Sequence, residues 1–381
     1  MNETQSVHYK QMYELIAAHA SEYGKSMEAQ IAVWEDRIPE TQPLLLSCDL
    51  PQEYKERFPD YHPGETHNDK AKMLLSGMKA MLYTATAGPH GIPSIRANMG
   101  CSVFPSLFPG ISPLLFDDGK MPWIVEHLSQ DTIRGLRKED ITLTSEFKTA
   151  LEHMAYIAEK IEGIGAYVFP LDLQGPFDIA HIVYGDQIFY DIYDEPELIH
   201  HLLSLSCDAI ELGITECLKF MPGSDKVIAH YNNLVMPRSR GGIKISEDTS
   251  TLLSADHIDE FVVPYTRRVL EFAGGGYIHY CGRNDHLLKR TLEYEKNYGL
   301  NLGNPDKHDM DAVLKQTAQA GKVYYGYLQK PDDEDHAAFF RRVRKAATVE
   351  GKCRLLLIAY VDEATKDEIS STWDSAYKIL M

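Results

Sequence analysis

SADHIDEFVVPYTRRVLEFAGGGYIHYCG, residues 254–282, changes its period halfway along. Ser254 followed by Asp256 fits an N-terminal cap for a helix running through Phe261 and Val262. Gly274, Gly275 and Gly276 end that helix and release the chain into an extended Tyr277–Tyr280. The helix-then-strand unit repeats on both sides of this stretch. Strands are expected at 83–87, 166–169, 227–230, 323–327 and 355–360. Helices are expected at 145–162, 195–220, 255–272, 285–298, 310–320, 334–350 and 366–380. Such alternation implies a mainly parallel sheet covered by helices, an α/β fold. A closed (β/α)8 TIM barrel fits, as does an open doubly wound sheet of similar periodicity. The first strand is not followed by GxGxxG, which argues against a dinucleotide fold. Residues 5–36 and 67–81 read as helical, and 39–64 as an irregular connection rich in Pro, Asp and Glu. Residues 1–81 are therefore expected to form an N-terminal helical extension packed on a barrel of residues 82–381.

Composition narrows the function. The 381 residues carry 38 Lys and Arg against 56 Asp and Glu, a formal charge of −18. Such a surface repels phosphate backbones, so nucleic acid is not an expected partner. No apolar run approaches membrane-spanning length, and MNETQSVHYKQMYEL lacks the pattern of a secretory signal. A cytoplasmic protein is expected. The six cysteines, Cys48, Cys101, Cys207, Cys217, Cys281 and Cys353, form no CxxC pair and read as reduced.

The chemistry concentrates where apolar strands end. In a strand, residues i and i+2 share a face, so His279 and Cys281 project together, an imidazole beside a thiol. Both are favoured zinc ligands, and Gly282 lets the chain turn sharply behind them. A packed cysteine beside a hydrogen-bonded histidine accounts for the same letters, and zinc needs at least one more ligand. Asp172 and Gln174, after GAYVF, sit where a strand opens into a polar turn; they suit a polar substrate group or a helix cap. His230-Tyr231-Asn232-Asn233 follows VIAH, with Asn232 either facing a ligand or simply forming a turn. Arg96 and Asn98 stand in an early loop; Arg96 can pair with a substrate carboxylate or with an acidic side chain.

Several passages resemble the uroporphyrinogen-decarboxylase and cobamide-dependent methyltransferase superfamily. LQGPFDIAHIVYGDQIFYDIYDEPELIHHLL resembles its Gly-Pro strand–helix block (here Gly175, Pro176, Gly185, Glu195-Pro196-Glu197). IKISEDTSTLLSADHIDEFVVPYTRRVLEF resembles the block before the substrate-facing strand. YIHYCGRN resembles the His-x-Cys-Gly motif of the methylcobamide:coenzyme M branch, and NLGNPD the segment that follows it. The likeness spans roughly residues 160–310. It implies a TIM barrel enzyme with zinc held by His279, Cys281 and a later cysteine. It further implies methyl transfer from methylcobamide, carried by a separate corrinoid protein, to a small-molecule thiol or related acceptor. The later cysteine is absent from Leu356–Asp362, and Cys353 stands at the wrong end of that strand. The third ligand is then Asp306, Asp362, Cys101 or none. A metal-independent lyase, a non-catalytic ligand-binding barrel and a homodimer stay open.

Overall fold

The computed structural model describes residues 1–87, 91–115 and 119–378. Eight short strands make parallel pairings: β1 Leu44–Cys48, β2 Ser94–Ile95, β3 Tyr167–Val168, β4 Ile243–Ser246, β5 Gly276–Tyr280, β6 Asn297–Leu302, β7 Val323–Tyr327 and β8 Leu355–Val361. Six of them form one parallel sheet in the order β1-β8-β7-β6-β5-β4. β2 and β3 pair with each other, and a parallel bridge from Gln174 to Ser246 ties the chain after β3 to β4. Among the described residues no backbone ladder joins β1 to β2. What the structure establishes is a mixed α/β fold on a six-stranded parallel sheet.

Parallel strands are covered on both faces, which is why β1 and β8 read as near-continuous apolar runs, LLLSC and LLLIAYV. On one face Leu44, Leu46, Ile278, Tyr280, Tyr324 and Leu357 join the large core shared with the helices. On the other, Leu45, Tyr277, Tyr325, Leu356 and Ile358 pack with Trp34, Leu234 and Met236. The last two belong to an antiparallel hairpin, Val227–Ala229 with Val235–Pro237. Asn232 and Asn233 turn that hairpin with positive φ of 53° and 66°, conformations Asn tolerates better than most residues.

Three expectations are corrected. The N-terminal segment is not purely helical, because Leu44–Cys48 form an edge strand paired with β8. Residues 83–85 finish the helix Lys70–Ala85, which Asp69 starts by accepting the Ala71 and Lys72 N–H groups. The helix from Asp285 stops at Glu293, and Asn297 already belongs to β6. The N-terminal segment is also tied to the sheet by polar contacts. Buried Gln30 donates to Asn233 O (3.0 Å) and accepts from Val235 N (2.8 Å), so it completes the hairpin's backbone pairing.

Candidate functional site

β5 turns Tyr277 and His279 to the face opposite the large core, and Cys281 follows just past its end. β4 lies alongside, with Ser246 opposite His279 in the register, so Asp248 reaches the same point two residues later. The Cys281 N–H donates to Asp248 Oδ1 at 2.5 Å. His279 Nε2 lies 3.6 Å from Cys281 Sγ and 3.8 Å from Asp248 Oδ1. One donor atom from each of the three lies within 4.8 Å of the others. An imidazole nitrogen, a thiol sulfur and a carboxylate oxygen form a donor set that suits zinc, with a fourth position left for a reactant.

The neighbouring residues prepare these donors. His279 Nδ1 meets Asn301 Oδ1 at 2.5 Å, and Asn301 Nδ2 donates to Tyr325 O at 2.6 Å. The second contact fixes which way the amide faces, so Nδ1 carries the imidazole proton and the Nε2 lone pair is left for the cluster. Gly303 supplies room: a Cβ there would stand 2.5 Å from Cys281 Sγ and 3.3 Å from His279 Cε1. Burial, and then the Asp248 carboxylate, push the Cys281 thiol up to about 11. It is therefore not a free thiolate nucleophile at neutral pH, and a cation between the three groups would reverse that balance. Replacing Asn301 by Leu is expected to lower zinc affinity by about 10–100-fold, read by competition with a chromophoric chelator. Unchanged affinity would mean that Asn301 does not orient the ring.

Behind the cluster lies a cavity of about 380 Å³ lined by Arg96, Asp172, Lys244, Tyr277, His279 and Tyr325 among others. Arg96 and Lys244 contact the Asp172 carboxylate at 3.1 and 3.2 Å. Burial opposes the charge on Asp172, but the two cations outweigh it and hold the carboxyl below its usual range. These three side chains together leave one net positive charge facing the cavity. A second cavity, about 420 Å³, lies toward β1 and the helix Lys70–Ala85, lined by Ser47, Ser76, Tyr83, Thr84 and Ser94. The two share one wall: Arg96, Asn98, Phe169, Tyr231 and Asn232.

His230, on the hairpin, is buried and meets Gly242 O through Nε2 at 2.9 Å. Burial lowers its pKa to about 3. The unfolded chain takes up a proton below about pH 6.5 that the folded chain refuses down to about 3. Stability contributed here is complete above that window and is lost as pH falls through it. The slope approaches about 1.4 kcal/mol per pH unit. His230→Gln, which keeps a donor for Gly242 O, is expected to flatten urea-unfolding free energies between pH 4 and 6 (roughly that window). An unchanged slope would remove His230 from the balance.

The residues expected from sequence divide. His279 and Cys281 stand together, and Asp172, Arg96, Asn98 and Asn232 line the cavity. Gln174 is buried against Ser246 and does not line it. The candidate third ligands lie elsewhere. Asp306 is exposed in a separate pocket with His308 and Lys330. Asp362 accepts from Thr365 at the start of the last helix. Cys101 lies outside the cluster, its thiol pushed up to about 11 by burial. Asp248, which stands with His279 and Cys281, was missed, as were Lys244 and Asn301. The signal was present: Ser246-Glu247-Asp248 follows the alternating Ile243-Lys244-Ile245 just as the other mouth motifs follow their strands.

No family model matches the chain, and no curated protein sequence matches it. Among solved structures, a methyltransferase from Methanosarcina mazei superposes with a TM-score of 0.62 at 12% identity. The match covers 92% of this chain and 99% of that one. At that identity the likeness is one of fold.

Proposed function

We propose that the chain moves a methyl group between a methylcobamide, carried on a separate corrinoid protein, and a small thiol or related acceptor, with zinc held by His279, Cys281 and Asp248. The observation that carries this reading is the convergence of three unlike metal donors within 4.8 Å, beside a cavity at the strand ends. The fold shared with a protein named as a methyltransferase supports it. So does the resemblance of YIHYCGRN to the His-x-Cys-Gly motif. The closed barrel implied by that resemblance remains part of the proposal.

When bound, zinc would lower the pKa of an acceptor thiol so that thiolate exists at neutral pH. The chain's own residues do the rest. His279 presents Nε2 because Asn301 holds Nδ1. Asp248 fixes the Cys281 backbone through its N–H. Arg96 and Lys244 anchor Asp172 and keep the inner wall net positive, which draws an anionic group of the acceptor inward. The aromatic rings of Phe169, Tyr277 and Tyr325 line the cavity and would keep water from a bound acceptor. In the transfer the thiol proton leaves to solvent and a sulfur–carbon bond forms. The methylcobamide substrate would supply the methyl group and keep the electron pair of the bond to it.

The test is zinc content after purification without chelators, together with methyl transfer from free methylcobalamin to 2-mercaptoethanol, followed by the corrinoid spectrum. Near-stoichiometric zinc, and turnover that stops on chelation and returns with zinc, would support the proposal. Well-folded protein without zinc would sink it. A lyase using Asp172 is the second reading, since that carboxylate lies in the cavity between two cations; activity that survives chelation would favour it.

A further inference from the structure

The helix Pro176–Tyr184 is docked onto the strand that ends at the cluster. Gly175 donates its N–H to Ser246 O at 2.6 Å, and a Cβ there would stand 2.7 Å from the Glu247 carboxylate and 2.8 Å from Ser246 O. Only glycine allows this approach, and the approach carries Asp178 beneath the 248–249 turn. Asp178 is 3% exposed. Its Oδ2 accepts the Asp248 N–H and its Oδ1 the Thr249 N–H, both at 2.8 Å. Among the described residues no cation appears as its hydrogen-bond partner, although Glu247 and Asp248 face it.

A buried carboxylate near two other acids is costly unless its placement serves something. The two successive N–H groups each take a separate oxygen of this carboxylate. An asparagine offers one, and its NH2 would confront the second donor. The turn so held carries the Asp248 carboxylate, which in turn receives the Cys281 N–H at 2.5 Å. Glu247, the adjacent buried acid, is engaged elsewhere: it accepts from the Ser250 and Thr266 hydroxyls.

We infer that Asp178 is the positioning residue of the metal centre, holding the 248–249 backbone so that the Asp248 carboxylate meets His279 and Cys281. This rests on the cluster being a metal site. A residue with a purely structural role would show itself in the stability of the metal-free protein. A positioning residue shows itself in metal affinity while the metal-free fold persists.

The experiment titrates zinc into chelator-stripped full-length wild type, Asp178→Asn and Glu247→Gln, in competition with a chromophoric chelator, and records the melting temperature of each metal-free protein. Asp178→Asn is expected to bind zinc about 10–100-fold more weakly, the range for partners behind metal ligands. Its metal-free melting temperature should fall no further than that of Glu247→Gln, which disturbs an equally buried acid with two hydrogen bonds of its own. Glu247→Gln removes a charge equally close and should stay within about threefold of wild type, well inside that range. Asp178→Ser, with a single acceptor, gives the same reading if the Asn protein is insoluble. Wild-type affinity in Asp178→Asn, or an equal loss in Glu247→Gln, would overturn the inference and leave the metal site intact. Wild-type protein that takes up no zinc would instead overturn the metal reading itself.

Discussion

Cys281→Ser should purify without zinc and lose methyl transfer by about a thousandfold, while unfolding at nearly the wild-type urea concentration. A metal acting on a developing or attacking charge is worth several kcal/mol, and about 4 kcal/mol corresponds to that loss in rate. Serine replaces a soft sulfur with an oxygen that stays protonated, so the substitution removes a ligand and little bulk. Cys281 is exposed, and its side chain is not part of the apolar core. The fold should therefore tolerate the change. His279→Ala is expected to match it. Gly303→Ala reaches the same end without touching a ligand: its Cβ would stand 2.5 Å from Cys281 Sγ and must swing the sulfur out of the cluster. Zinc measured by elemental analysis, beside the methyl-transfer rate, gives the answer for all three. Full zinc occupancy in Cys281→Ser would remove that sulfur from the ligand set, and the thiol-activation proposal with it.

The second large effect is on stability. Trp34→Ala should cost about 3–5 kcal/mol, the range for deleting a buried aromatic side chain. Trp34 is 2% exposed. Its indole N–H donates to Val235 O at 2.9 Å, its ring lies 6.3 Å from that of Tyr277, and it fills the space that a Cβ on Gly299 would need (2.8 Å). Alanine would leave a cavity under the sheet and an unpaired carbonyl on the hairpin. Trp34→Phe keeps most of the bulk and loses the hydrogen bond, so about 1–2 kcal/mol is expected. Equilibrium urea unfolding separates the two. Equal costs would mean that the hydrogen bond, not the packing, dominates. The hairpin also carries His230, Tyr231 and Asn232 to the cavity wall, so Trp34→Ala should weaken ligand binding as well as the fold.

What the sequence reveals, and what it hides, follows from the range over which the responsible forces act. The pairing of His279 with Cys281 is a period-two property of one strand and can be read directly. VYYGY and LLLIAYV announce β7 and β8 by composition alone. Leu44–Cys48 was lost in a Pro- and acid-rich connection, because an edge strand becomes a strand only by pairing, and its partner lies more than 300 residues away. Residues 83–85 carry Tyr and Thr, which favour strands, yet the helix started at Asp69 runs on through them under tertiary packing. Asp248 is the instructive omission. It reaches Cys281 across 33 residues because β4 and β5 pair with Ser246 opposite His279, and register between strands is not written in either strand. The superfamily resemblance pointed C-terminal to the motif, whereas Asp248 stands in the turn just past β4, the strand before it.

The wall between the two cavities has a thermodynamic consequence. Arg96, Asn98, Phe169, Tyr231 and Asn232 belong to both, so a molecule seated on one side fixes side chains that the other side must use. Whatever factor a first occupant imposes on the affinity for a second, the second imposes on the first, because the coupling free energy is a property of the pair. Two reactants meeting across this wall would not bind independently, and the order in which they arrive would change the rates but not the product of their affinities.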